Sequence, residues 1–507
     1  MSEKINDNSV IIIGAGFAGL AAGIYARLNG YEATIFEMHN LPGGLCTSWE
    51  RKGYTFDCCI HWLVGSSPQS GMHDMWEETG VARNRKIIDL DQYLRMEDGS
   101  GRTLVMYTDI DRLEKHLLEF SPQDEKPIRK FTDGIRMCLL FDMPSKHDPY
   151  LKRIGKQLKT VSNFIFNGKK MKEWMNITCE SFAGEFKDPL IREAFREMWV
   201  PEFSMLFMLF TFAYLHNKNA GYPIGGSMPM SEALEARFKE LGGRLNYRSR
   251  VAKILTENNI ANGIMLEDGT EHRAGRVISA ADGHATLFSM LDGKFGDGKT
   301  REPYEKWKRF PSLIFVSLGV KRTFEEIPRS VSGLTFHLKQ PVEIGDKVRD
   351  KLSVHLYNHD PSMAPEGCTA ITIMLESDHE YWKSLAQDRK VYLKKKEEIG
   401  QTILELLNQR FPGISSLVEA IDVATPLTFE RYTGNWKGSF EGWLLTPENA
   451  GVIMKPMSQT IPGLKNFYMC GQWVEPGGGL PTAIMSGRRL VKSICSEDKR
   501  KFKTEYH

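Results

Sequence analysis

The sequence predicts an α/β fold in which a parallel-sheet, nucleotide-binding domain carries an inserted mixed β-sheet plus helical domain. Three observations predict it. Ser9–Ile13 is a run of β-branched residues that leads at once into Gly14-Ala15-Gly16-Phe17-Ala18-Gly19 and a helical pattern. Residues 276–282, RVISAAD, are a further strand in mid-chain. Near the end, residues 466–471 are a strand closing on Gly471, followed by the loop Pro476-Gly477-Gly478-Gly479 and another helix. Short apolar runs of this kind are buried parallel strands, covered by helices on both faces.

The opening unit is a Rossmann-type βαβ, and each part has a physical task. Gly14 permits the tight turn, Gly16 lets the backbone approach a pyrophosphate, and Gly19 lets the helix pack closely on the strand. The helix, residues 17–29, stops at Gly30 and offers its first N–H groups and positive dipole end to phosphates. The strand Glu32–Phe36 ends at Glu37, 18 residues after Gly19, where a carboxylate can accept bonds from ribose hydroxyls. The motif alone leaves NAD and FAD both open.

Leu41-Pro42-Gly43-Gly44-Leu45 follows that acid, and Gly53-Tyr54-Thr55-Phe56-Asp57 comes soon after. Together, GAGFAGL, FE, PGGL and GYTFD resemble the N-terminal signature of the FAD-dependent amine oxidase superfamily. Within it they are most similar to the phytoene desaturase, carotenoid isomerase and retinol saturase-like branch. The resemblance implies FAD as cofactor, with Glu37 and Met38 beside the ribose and Gly43, Gly44 and Leu45 carrying the chain past the pyrophosphate. It places His61 and Trp62 beside the isoalloxazine ring and the backbone of Val251 at the adenine. Ala281 stands where the FAD domain hands back to the substrate domain. Gly471, Gln472, Gly479, Leu480, Pro481, Thr482 and Ala483 form the closing loop and helix start at the flavin. The family's usual stretch is replaced here by Gln472-Trp473-Val474-Glu475. The resemblance implies FAD-binding segments 1–71, 218–288 and 461–507, and substrate-domain segments 72–217 and 289–460.

Composition sets outer bounds. The chain has 507 residues, 66 Lys+Arg against 64 Asp+Glu, so no nucleic-acid partner is expected. The polar opening, residues 1–8, leads into a cofactor strand rather than a secretory leader, and no transmembrane helix is expected. Eight cysteines without a CxxC pair fit reduced thiols, a cytoplasmic setting and no metal site. The vicinal Cys58-Cys59 is read as two small hydrophobes, because a vicinal disulfide is strained.

In the middle of the chain, residues 93–97 and Thr103–Tyr107 read as a hairpin, and residues 111–120 and 126–145 as helices. Residues 198–215 are the most apolar stretch. They are a core helix, the wall of a substrate tunnel, or a membrane-facing patch, and Pro201, Glu202 and Ser204 argue against a spanning helix. A helix is expected over 230–241, then strands Val251–Glu257 and 263–266. Gly293-Lys294-Phe295-Gly296-Asp297-Gly298-Lys299-Thr300 matches GxxxxGK[ST]. No buried strand precedes it and Arg301-Glu302-Pro303 continues a helix poorly, so it reads as an exposed charged loop.

Residues 312–320, 333–338, 352–358 and Thr369–Glu376 alternate as strands of an antiparallel sheet roofing the flavin; His355 lies in one of them and His359 just past its end. Residues 391–410 are an amphipathic helix with a solvated Lys-rich face. Tyr432, Trp436 and Trp443 are either site lining or packing.

The resemblance implies hydride exchange at flavin N5, acting on carbon–carbon bonds of an apolar polyene, isoprenoid such as a carotenoid or retinoid, or another lipid. Desaturation, saturation and cis–trans isomerisation stay open, as does the oligomeric state. A proton must move as well. His61 is the first candidate, because imidazole titrates near neutrality, and Glu475 the second. Two rivals remain: a flavin amine oxidase, and a non-enzymatic lipid carrier of the GDP-dissociation-inhibitor type. Peripheral membrane contact is compatible with a lipid substrate.

Overall fold

The structure is a computed structural model that describes residues 6–141, 143–198 and 200–505. A five-stranded, all-parallel sheet runs in the order Arg244–Asn246, Glu32–Phe36, Ser9–Ile13, Arg276–Ser279, Phe467–Met469. Distant parts of the chain thus share one sheet, with Val10 opposite both Ala33 and Arg276. The helix Phe17–Leu28 covers one face and is buried at eleven of its twelve positions, which is why its sequence is apolar all round. The C-terminal helix Leu480–Glu497 packs on it through Gly487, where a Cβ would come within 2.7 Å of Ala18 O and Ala22 N.

A seven-stranded mixed sheet forms the second layer. Its order is Val418–Ala424, Leu313–Val320, Thr369–Glu376, Lys347–Leu356, Val331–Ile344, Gln92–Glu97, Thr103–Tyr107. The four strands expected to be antiparallel do pair that way, and the sheet is mixed because at one seam Val331–Ile344 also pairs in parallel with Gln92–Glu97, which the sequence did not place in it. That seam joins the early hairpin to strands more than two hundred positions later. Register across chain segments so distant is set by packing, which no local pattern encodes.

Three local expectations are corrected. The helix expected over 126–145 is Glu125–Cys138, and the chain turns before Pro144; Asp142 lies outside the described residues. The apolar stretch 198–215 becomes a helix only over Met205–His216, preceded by a turn around Pro201; Trp199 lies outside the described residues. Most of this helix is buried and none of its residues lines the main cavity, so the helix is core, whereas Met198, Val200 and Pro201 ahead of it do line the cavity. Residues after the GxxxxGK[ST] match do continue a helix, Gly298–Lys306, with Pro303 inside it. Asp297 caps that helix, accepting from Thr300 N at 3.0 Å. The carboxylate occupies the place an anion would take, and a π-type turn over Ala285–Met290 replaces the strand such a loop requires.

Candidate active site

The C-terminal ends of the parallel strands open onto one cavity of about 1530 Å³ that also reaches the seven-stranded sheet. Ligands of open parallel sheets bind at that edge. An ordinary small-molecule pocket occupies roughly 300–1,000 Å³, so this space accommodates a dinucleotide and a second ligand together. Of the residues expected at a cofactor, all line it except Ala15, Gly19 and Pro481.

Those three exceptions have other positions. Ala15 donates its N–H to Glu37 Oε2 at 2.7 Å and accepts Gly43 N–H at 2.9 Å. It therefore ties the first glycine turn to the acid and to the second glycine turn. A Cβ on Gly19 would collide with the Gly14 carbonyl, so Gly19 is there for helix–turn packing. Pro481 lies in the first turn of the last helix, where a missing N–H costs nothing.

Two helix N-termini face the cavity without a capping side chain: Gly16 precedes Phe17–Leu28, and Gly479 precedes Leu480–Glu497. Gly479 sits at φ +90°, a conformation that glycine adopts freely. At Gly16 a Cβ would meet only the Gly43 carbonyl, at 3.9 Å, so the space in front of this helix is open. Uncapped first-turn N–H groups at the positive end of a helix make an anion site. Glu37 is buried, and its other oxygen accepts His39 N–H at 2.8 Å. Burial raises its pKa against these stabilising hydrogen bonds.

Asp57 organises the segment behind. Fully buried, it accepts from Cys59 N and Ile60 N at 3.0 Å and from Ser227 N and Oγ at 2.6 and 2.7 Å. Those bonds fix the turn that presents Cys58, Cys59, His61 and Trp62 to the cavity. Both thiols are free, and burial raises the Cys58 pKa, so neither is a thiolate nucleophile. His61 is held well below its ordinary value by burial, then by His355 and His359. Its expected titration near neutrality is therefore lost. His355 lines the cavity beside it; His359 does not, and burial lowers it to about 4.

Glu475 is not a lining residue. It forms an ion pair with Arg489 at 2.6 Å, away from the cavity. Tyr432 and Trp473 line the cavity, whereas Trp436 and Trp443 pack behind it.

Two acids that sequence reasoning passed over stand in the wall. Glu441 is half-buried in the wall, with its carboxyl pushed up to about 7 by burial; its Oε1 accepts Gly479 N–H at 3.1 Å, while the buried Oε2 has no hydrogen-bond partner among the described residues. Asp282 is also raised to about 7 by burial and accepts Ala285 N and Trp436 N at 2.7 and 2.8 Å. The available signals were an acid ending the SAAD strand and a single carboxylate amid Phe440, Gly442 and Trp443.

A family model described as flavin containing amine oxidoreductase matches residues 17–495. A lycopene-forming phytoene desaturase of Paracoccus sp. is 25% identical, covering 96% of this chain and 97% of its own. A chloroplastic prolycopene isomerase of Daucus carota is 24% identical, covering 97% of this chain and 81% of its own. The solved cyclohexylamine oxidase of Brevibacterium oxydans shares the fold, with a TM-score of 0.59 at 13% identity over 97% of this chain and 99% of its own.

Proposed function

From the premise that this chain belongs to the flavin containing amine oxidoreductases, we propose that it exchanges hydrogen at carbon–carbon bonds of an apolar polyene or isoprenoid. It is an FAD-dependent oxidoreductase, related to carotenoid desaturases and isomerases. A flavin-containing family leaves no place for the carrier alternative.

The residues present fit the cofactor. The uncapped helix start at Gly16, Phe17 and Ala18 would hold the pyrophosphate, with Gly43 and Gly44 closing over it. Glu37, already oriented by two main-chain donors, keeps lone pairs for the ribose hydroxyls. The helix start at Leu480 and Thr482 would face the ring system with its positive end. When bound, FAD supplies the hydride exchange that no side chain can perform.

The remaining work falls to the protein. Desaturation removes a hydride and a proton from neighbouring carbons, saturation adds both, and isomerisation returns both. The observation that carries the polyene reading is the wall beyond His61, where Trp62, Tyr93, Leu94, Met198, Leu334 and Val354 line the same cavity. Tyr93 is fastened by its hydroxyl to Met198 O at 2.8 Å and turns its ring to Trp62 at 5.4 Å. Such a wall orients a long apolar chain and excludes water. Glu441, not Glu475, has the free oxygen and the near-neutral affinity to hold or take the proton. His61 and His355 act as neutral packing and hydrogen-bonding surfaces.

The test is anaerobic mixing of the FAD-loaded protein with a carotenoid or retinoid, and separately with primary amines, while following flavin absorbance. Bleaching by the polyene, or reoxidation of the bleached protein by a more unsaturated one, is the expected result. Bleaching by amines alone would replace this reading with amine oxidation.

A further inference from the structure

The helix Tyr150–Met175 is built inside out. Leu151, Ile154, Leu158, Val161 and Ile165 recur at three- and four-residue spacing, which places them on one stripe. Apart from half-buried Ile154, that stripe faces solvent: Leu151 is 81% exposed, Leu158 66%, Val161 58% and Ile165 74%, with Phe166 beside it at 81%. The opposite face, turned to the protein, carries Arg153, Lys156, Thr160 and Asn163, all half-buried. Asn163 donates to Leu140 O at 2.7 Å, and Lys156 pairs with Asp148 at 3.0 Å. Only Met171 and Trp174, at the C-terminal end, are buried. A helix meeting water alone has the reverse arrangement, because exposed apolar surface of this extent costs free energy.

Charge points to what covers the stripe. This one helix carries seven Lys and Arg against a single carboxylate, Glu173, although the whole chain is only +2. Asp148 pairs with both Lys152 and Lys156 and offsets one of their two charges. The heptad line of the stripe then runs on into Lys172, with Lys169 beside it. Apolar side chains bordered by lysines match a bilayer edge, where the stems stay in the apolar layer and the ammonium groups reach lipid phosphates. A second copy of the same helix would bring like charges together. No helix among the described residues is long and apolar enough to cross a membrane.

We propose that this helix docks the protein in the plane of an anionic lipid bilayer, with its apolar stripe among the acyl chains. The inference stands independently of which bond the enzyme changes. It is tested by co-sedimenting the flavin-loaded protein with phosphatidylcholine vesicles, with and without phosphatidylglycerol. The wild type should pellet with the anionic vesicles, less so at high salt. A Leu158→Glu, Ile165→Glu, Phe166→Glu variant should lose partitioning by about tenfold or more while keeping its flavin spectrum. A Lys169→Gln, Lys170→Gln, Lys172→Gln variant should lose the preference for phosphatidylglycerol. Wild type that stays in the supernatant would overturn the proposal, as would equal pelleting of the Glu variant. A dimer that Leu158→Glu dissociates, without vesicle binding, would assign the stripe to a second copy instead.

Discussion

His61 lies flat against His355, with ring centroids 4.2 Å apart and planes 4° from parallel. His355 donates Nδ1–H to the Ser332 carbonyl at 2.9 Å, which leaves its Nε2 as an acceptor. Burial depresses both rings, and a proton on either would repel one on the other. Two neutral imidazoles stack without that cost.

The pair therefore stays neutral through neutrality, and His61 C–H resonances should not titrate between about pH 6 and pH 8. The stability consequence has a definite sign. A base depressed in the folded state binds more protons when unfolded, so stability is lost as pH falls below the ordinary histidine value. Replacing His61 by Phe should flatten that acid limb in thermal melts. A resonance that titrates near neutrality would contradict the stacked neutral pair.

Glu441 works in the opposite direction. Its folded pKa of about 7 lies above that of a free carboxyl, so the folded state binds the extra proton. Stability is then lost as pH rises from about 4.5 toward 7. Glu441→Gln keeps an oxygen for Gly479 N–H and removes the charge. It should stabilise the protein at alkaline pH by about 1–3 kcal/mol. Turnover should fall by about 10²–10⁴-fold, and the limb of the kcat profile near 7 should vanish. Unchanged turnover in this variant would remove Glu441 from the proton step.

Glu37→Ala orphans the buried N–H of Ala15 and the part-buried N–H of His39. Each unsatisfied donor costs about 1–3 kcal/mol. The melting temperature should drop by several degrees and FAD should dissociate more readily. Added FAD should recover little of the loss, because the damage lies in the turn itself. Fluorescence of released flavin measures both.

Gly487→Ala places a methyl against the backbone of the first helix, 2.7 Å from Ala18 O and Ala22 N. Neither atom can move without breaking helix hydrogen bonds, so about 2–4 kcal/mol of destabilisation is expected, within the range for overpacked or strained sites. The same methyl on Gly298, where nothing lies within 4 Å, should cost little. Chemical denaturation of the two variants side by side makes the comparison. Equal midpoints would show that the two helices can separate freely.

Much of the fold was written in contiguous residues. Ser9–Ile13 and Glu32–Phe36 fall where their apolar runs predict, because a buried parallel strand is specified by its own side chains. The turn glycines are equally local: Gly14, Gly43, Gly44 and Gly479 all sit at positive φ, and only glycine enters that region freely. Element ends were less legible. The apolar stretch around Pro201 looked like one helix, and only the turn before Met205 interrupts it.

By itself, the sequence determined the dinucleotide unit, the positions of its acid and glycines, and the kind of cofactor they suit. Those features depend on backbone conformation and neighbours a few residues away. The tertiary structure alone decided which side chains share the cavity. It brought His355 onto His61, set Glu441 against the closing glycines, drew Glu475 out to Arg489, and turned the apolar stripe of Tyr150–Met175 to the outside. Burial and coulombic environment are sums over residues distant in the chain, so protonation and exposure emerge only once the sheets and helices have packed.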